Sequence, residues 1–415
     1  MLPTAMIKPP MEISFILRIL FCIGLFILPF VYWPWSEVTH EVPRVWFVLY
    51  WVEVLILAGL PSLVRKKTPN WGDKASIWLS IGFLVIAYMA SFLGIDKDKS
   101  LWGNYWRFDG LLVLLHCIGL TLFLRLWWHR SWSHLTTLSI TLGAVGVSSI
   151  ALWSVFRVYV LKDYALNYWN DAFGSTFGQP NYLAGYLIIS FPLLLSQSVQ
   201  AFKKKRVLPI LLWSASTLIV STALIFTHAV AAVPILLIIG MTYWFLHRRT
   251  AWYWLLGCVV FITICTSIIY YRQTTSPTVF VAESRERIVH KVILGWWQRP
   301  ILGWGWANVD HAFESSIWPY PVRFDVYLDK AHSTILEVLA TTGIMGLSVY
   351  LLLIIRVGSV LYRKARSAPP WSWHPTMFVT FITIVLHSQT NVISIAEETF
   401  FWMIVGIAGV QDTKN

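Results

Sequence analysis

Apolar runs about 20 residues long recur along the whole chain, at about 13–33, 42–64, 75–95, 109–128, 134–157, 178–199, 207–226, 229–247, 251–271, 333–355, 374–391 and 395–411. A bilayer core is roughly 30 Å thick and a helix rises about 1.5 Å per residue, so runs of this length fit membrane-spanning helices. The alternating segments of an outer-membrane strand are only about 10 residues long. In hydrocarbon the backbone must satisfy its own N–H and C=O groups, and a helix does so within one segment. Composition agrees: 57% of the 415 residues are hydrophobic and 13% charged, against roughly 25% charged in a soluble domain. A soluble globule and a disordered chain are both excluded. The predicted class is an all-α polytopic membrane protein of about twelve transmembrane helices, one integral membrane domain over residues 1–415.

The least secure division is at Thr227-His228, the only interruption between 207 and 247. Charge decides it, because loops rich in Lys and Arg stay on the cytoplasmic side. With a turn there and both termini cytoplasmic, the inner loops collect Arg65-Lys66-Lys67, Lys203-Lys204-Lys205-Arg206, Arg248-Arg249 and Arg363-Lys364, with Asp73 as almost the only acid. The outer loops mix signs. The first span, with Lys8 and Arg18 but no small-residue cleavage site, reads as uncleaved. The net charge of +12 is spread over these loops, so no nucleic-acid partner is expected. Cys22, Cys117, Cys258 and Cys265 lie in apolar runs without a CxxC, which points to neither disulfide nor metal.

Most connections are short, but residues 272–331 form an outer loop of about 60 residues between the ninth and tenth spans, and a loop of that length is usually functional. Within it, 283–297 reads as an amphipathic helix. At about 100° per residue, Ile288, Val289, Val292, Ile293 and Trp296 make one stripe, with Arg285 in its middle and Arg287 and Lys291 opposite. A buried arginine requires an anionic partner. Three other outward segments carry polar groups. Asn104–Gly110 includes Arg107, whose simplest partner is the neighbouring Asp109. Phe177–Tyr186 places Pro180 and Asn181 at a helix start, where free N–H groups favour an anion. Asp329–Glu337 places His332 between two carboxylates at the membrane boundary.

Taken in order, Arg285, Pro300-Ile301-Leu302-Gly303-Trp304-Gly305, Asp329-Lys330-Ala331-His332-Ser333 and Gly343-Ile344-Met345-Gly346, with Phe177–Tyr186 and Asn104–Gly110 upstream, resemble the O-antigen ligase and polymerase family. The resemblance implies a glycosyltransferase-C-like membrane enzyme. Such an enzyme passes a glycan from undecaprenyl diphosphate to an acceptor hydroxyl on the outer side of the cytoplasmic membrane, by inverting displacement and with neither metal nor other cofactor. Partners would be that lipid-linked donor, a glycan, lipid or protein acceptor, and membrane lipids. Ligase, polymerase and protein O-oligosaccharyltransferase are alternatives, with a non-catalytic homologue or a lipid-linked-sugar transporter behind them. The family's key arginine maps onto Arg285 and its key histidine onto His332.

Two positions depart from the family pattern. Ser333 follows the histidine where Asn is usual. The outer turn that often carries Ser-Arg has Thr227-His228, so His228 is the candidate replacement. The expected roles are Arg285 on the diphosphate, Arg107 as a second cation, Arg287 at the rim, His332 on the acceptor hydroxyl and Asp329 orienting it. Asn181 is expected against sugar or phosphate.

Overall fold

The computed structural model describes residues 11–63, 71–163, 173–229, 232–248, 285–318 and 327–410. Among them every regular element is helical: α1 (Met11–Ile27), α2 (Glu41–Leu63), α3 (Lys74–Phe92), α4 (Lys97–Trp102), α5 (Leu111–Trp127), α6 (Ser133–Tyr159), α7 (Pro180–Lys203), α8 (Val207–Phe226), α9 (Ala232–Arg248), α10 (Arg285–Gln298), α11 (Val309–Glu314), α12 (Thr334–Ser367), α13 (Trp373–His387) and α14 (Ile395–Ala408). Six of these, α2, α3, α6, α7, α8 and α12, are long and apolar enough to cross a membrane, and shorter apolar helices lie over Ser14–Phe30, Leu111–Trp127 and Pro234–Leu246. The protein is a polytopic helical membrane protein. The predicted span at 251–271 lies outside the described residues.

Helix starts follow local chemistry. Pro180 opens α7, where its missing N–H is one no helix turn needs. Ser394 and Glu397 form a reciprocal cap on α14. The division at Thr227-His228 is a real turn: α8 ends at Phe226 and His228 takes φ +52°. The two helices then run in opposite directions. Thr217 Oγ1 of α8 lies 3.1 Å from Ser198 Oγ, and on the way back Tyr243 of α9 stacks on Trp371 with 4.1 Å between centroids. Trp371 O in turn accepts from Ser196 and Gln200 of α7.

The bundle has two polar ends. At one, the 31–40, 93–110, 173–179, 299–318, 327–333 and 388–394 segments meet. Arg44, fully buried, ties several of them together: it pairs with Glu41 at 2.6 Å and donates to Leu28 O, Val31 O and Thr176 O. Glu41 also accepts from Ile395 N at 3.0 Å, at the start of α14. A buried ion pair is tolerable only when its remaining hydrogen-bonding capacity is used, as it is here. At the opposite end lie the Lys203–Arg206 turn, the start of α3 and the ends of α12 and α14.

One helix is broken on purpose. Inside α12, Gly343 adopts φ +65° and ψ −167°, which removes the helical partners of the flanking turns. The Pro300–Gly305 loop supplies substitutes. Trp304 N and Gly305 N donate to Ala340 O and Thr341 O at 2.9 Å each, while Ile344 N donates to Pro300 O at 2.8 Å. Gly303 and Gly305 reach this position with φ +69° and +101°. The same loop continues onto α3 and α4, through Ile95 N to Trp304 O at 3.3 Å and Asn308 Nδ2 to Ser100 Oγ at 3.0 Å.

The amphipathic helix requires a correction. Its described part begins at Arg285, and its buried residues are Arg287, Ile288, Lys291, Val292 and Gly295. Arg285 is exposed, as are Val289, Ile293 and Leu294. Ile288 and Val292 of the expected stripe are buried, but the buried face is rotated from Val289 and Ile293 towards Arg287 and Lys291, because side-chain polarity alone does not say what a helix packs on. Here it packs on α11, where the Phe313 ring receives Lys291 Nζ at 3.9 Å and the Arg287 guanidinium at 5.4 Å from its centroid. A π-face accommodates a cation that an aliphatic wall does not, and Gly295 lets Ala312 O approach the helix.

Candidate functional site

The site grows from two loops that cross-pair. Asp96 caps α4 through Lys99 N at 2.9 Å. The chain then turns at Gly103, and Asn104 O accepts from Arg107 N and Phe108 N. This compact turn holds out Arg107 and Asp109. Arg107 does not pair with its neighbour Asp109. Its Nε donates to Asp329 Oδ2 at 2.6 Å, and a terminal nitrogen donates to the Tyr182 hydroxyl. Asp109 pairs instead with Lys330, which also reaches Glu337 Oε1 at 3.2 Å. Two alternating charges on one loop therefore meet two on the other. Burial raises the Asp109 carboxyl, but Lys330 and Arg107 together hold it below the usual carboxylate range. Burial also opposes the Lys330 charge, and Asp109 and Glu337 more than offset that, keeping the ammonium above the usual lysine range.

His332 sits where this paired loop enters α12, in a left-handed backbone conformation with φ +54°. The cap of α12 is Ser333, whose Oγ accepts from Leu336 N at 3.5 Å and donates to Gln389 Oε1 at 2.9 Å. Thr334 N donates to Ser388 O at 2.8 Å. The α13–α14 connection thus buttons the histidine's segment in place. It also reaches Arg285, whose guanidinium donates to Asn391 Oδ1 at 3.4 Å. Asn391 Nδ2 faces His387 Nε2 at 3.4 Å, and His387 Nδ1 lies 2.9 Å from Glu397 Oε2. With its NH2 turned to His387, Asn391 has its carbonyl oxygen left for Arg285.

Burial, then the charges of Arg285 and Arg107, lower the His332 pKa, with Asp329 pulling the other way. The lowered pKa favours the neutral imidazole, in the field of the Arg285 and Arg107 guanidinium groups. A neutral base next to fixed cations suits abstraction of a hydroxyl proton while negative charge develops nearby.

Of the residues singled out from sequence, Arg107 pairs with Asp329, and His332 feels the charges of Arg285, Asp329 and Arg107. Asn181 is exposed in the first turn of α7, next to Tyr182, the buried partner of Arg107. Arg287 is not at a rim; it is buried between α10 and α11. His228 is exposed and sits edge-on to Phe173 at 6.1 Å, against the C-terminal ends of α6 and α8. Sequence reasoning passed over Tyr182, Lys330 and Asn391. For Asn391 a signal existed: Ser388-Gln389-Thr390-Asn391 is a polar run between two apolar spans at this end of the bundle.

Comparison with curated proteins finds no match. The family model of the O-antigen ligases matches residues 210–351, a stretch that contains His228, Arg285, Asp329, His332 and the Pro300–Gly346 splice but neither Arg107 nor Asn391. Over residues 210–351 the chain is thus similar to the O-antigen ligases.

Proposed function

We propose that the protein is a ligase-type glycosyltransferase of the cytoplasmic membrane. It moves a glycan from undecaprenyl diphosphate to an acceptor hydroxyl on the extracytoplasmic side. The observation that carries this reading is the meeting of Arg285, Arg107 and a neutral His332 at one end of the bundle. The basic turn at Lys203–Arg206 lies at the other end, which by the positive-inside rule is the cytoplasmic one.

In the proposed step the acceptor oxygen attacks the anomeric carbon from the face opposite the leaving group, inverting it. The C–O bond to the diphosphate breaks, and its electron pair leaves with the lipid diphosphate. The acceptor's proton passes to His332. Arg285 and Arg107 face the charge that grows on the leaving oxygen, so their contribution is larger in the transition state than in the bound donor. Tyr182 and Asp329 hold the Arg107 fork, and Asn391 holds that of Arg285. Asn181 contacts the sugar or phosphate at the start of α7.

Purified full-length protein given an undecaprenyl-diphosphate-linked glycan and a hydroxyl acceptor should release lipid diphosphate and form the glycoconjugate. Lipid movement without covalent transfer, or binding alone, would refute the proposal. The pH profile has a definite sign. Because the His332 pKa is lowered from 6.5, the acidic limb of transfer should fall below the ordinary histidine midpoint. The residual activity of Arg285→Gln should show that limb moved upward, since one depressing cation is gone. A wild-type limb at or above 6.5, unmoved by the substitution, would remove His332 from the role of base.

A further inference from the structure

At the end of the bundle opposite the Arg285–His332 site, the start of α3, the last part of α12 and the end of α14 surround a cavity of about 540 Å³. Four of its lining side chains are basic, Lys74, Arg356, Arg363 and Lys364, and one is acidic, Asp73. That acid is already neutralised. Arg356 grips it with Nε at 3.1 and 3.2 Å and a terminal nitrogen at 2.6 Å. Lys364 Nζ is held at the rim by Val410 O at 2.5 Å, and Lys74 and Arg363 are exposed. The lining therefore carries a surplus of positive charge.

Two further observations point to an anion. Asp73, the residue capping α3, makes no side-chain capping bond to the helix backbone, so it leaves uncapped the first-turn N–H groups that carry the helix's positive end. Behind Gly409, one of the lining residues, lies Arg125, only 3% exposed. One of its terminal nitrogens donates to Ser76 Oγ at 2.5 Å and Val405 O at 2.8 Å. Its Nε and other terminal nitrogen have no hydrogen-bond partner among the described residues. That second nitrogen occupies the place where a Cβ on Gly409 would stand, so the absent side chain leaves room for a guanidinium directly behind the Gly409 backbone of the lining. A buried cation with unused donors is costly unless negative charge is near.

We propose that this cavity binds a phosphate-bearing anion, seated on the first turn of α3 between Lys74 and Arg363 with Arg125 behind it. The chemistry fits the headgroup of an anionic lipid or a free phosphate. The inference is independent of the transfer reaction proposed above.

Native mass spectrometry of the full-length protein with added phosphatidylglycerol or phosphatidylcholine tests the first source, and thermal shift with inorganic phosphate at constant ionic strength tests the second. The variant is Lys74→Gln/Arg363→Gln, at two exposed positions whose loss leaves the packed bundle intact. Wild type should retain phosphatidylglycerol over phosphatidylcholine, or be stabilised by phosphate. The double variant should bind that anion roughly tenfold or more weakly, as expected for two lost cationic contacts. A response to lipid alone assigns the site to a headgroup, and a response to phosphate alone assigns it to a soluble ligand. The proposal is overturned if wild type distinguishes neither anion, or if the double variant binds as wild type does.

Discussion

Arg285→Ala, in protein shown to be folded and inserted, lowers glycan transfer by about two to three powers of ten, the usual cost of deleting one preorganised donor at a developing negative charge. His332→Ala produces a loss of similar order, by removing the proton acceptor. The substitutions differ in form. Without the arginine both donor binding and turnover suffer, because the guanidinium meets charge in the ground state as well; without the histidine, turnover falls with little change in donor affinity. Asn391→Ala should weaken transfer in wild type yet add little in an Arg285→Lys background, since Asn391 acts by holding the guanidinium at 3.4 Å. Fully additive effects would mean that Asn391 only supports the fold. Wild-type turnover in both Arg285→Ala and His332→Ala would dismiss the site altogether.

Gly343→Ala has the largest expected effect on stability. A Cβ there would stand 2.6 Å from Leu302 N and closer still to Ile301 O, both backbone atoms of the spliced loop. Neither moves without breaking the bonds from Trp304 and Gly305 to Ala340 and Thr341. The alanine is also strained at φ +65°. Steric overlap, strain and several lost hydrogen bonds together cost about 4 kcal/mol or more, enough to deplete folded protein in size-exclusion and thermal-melting measurements. Gly82→Ala is the control, because the nearest atom to its new methyl is Val349 Cγ1 at 4.0 Å. Equal melting of the two variants would show that the splice contributes nothing.

The two substitutions probe different things that the same motif unites. Among the described residues, no hydrogen bond or ion pair joins Pro300–Gly305 or Gly343–Gly346 to Arg285 or His332. Their glycines allow one loop to take over the hydrogen bonds of a broken helix, and this joins the α10–α11 hairpin to α12, α3 and α4. Arg285 stands on the first of these elements and His332 at the head of α12. The splice therefore sets the distance between them.

Several helix positions were legible in the sequence to within a few residues, although the run at 333–355 continued as helix to Ser367. The runs at about 42–64, 75–95 and 207–226 became Glu41–Leu63, Lys74–Phe92 and Val207–Phe226, because a segment in hydrocarbon must satisfy its own backbone and so declares itself by composition alone. The turn at Thr227-His228 was legible for the same reason, through charge on the flanking loops. Pairing was not. Arg107 passes over Asp109, two residues away, for Asp329 and Tyr182, and α10 buries Arg287 and Lys291 against Phe313 while leaving Arg285 exposed. Which side chain meets which depends on how distant helices pack, and a periodic pattern records only that a face is buried, not what it faces. The residue types at the site came from the chain; their partners came from the fold.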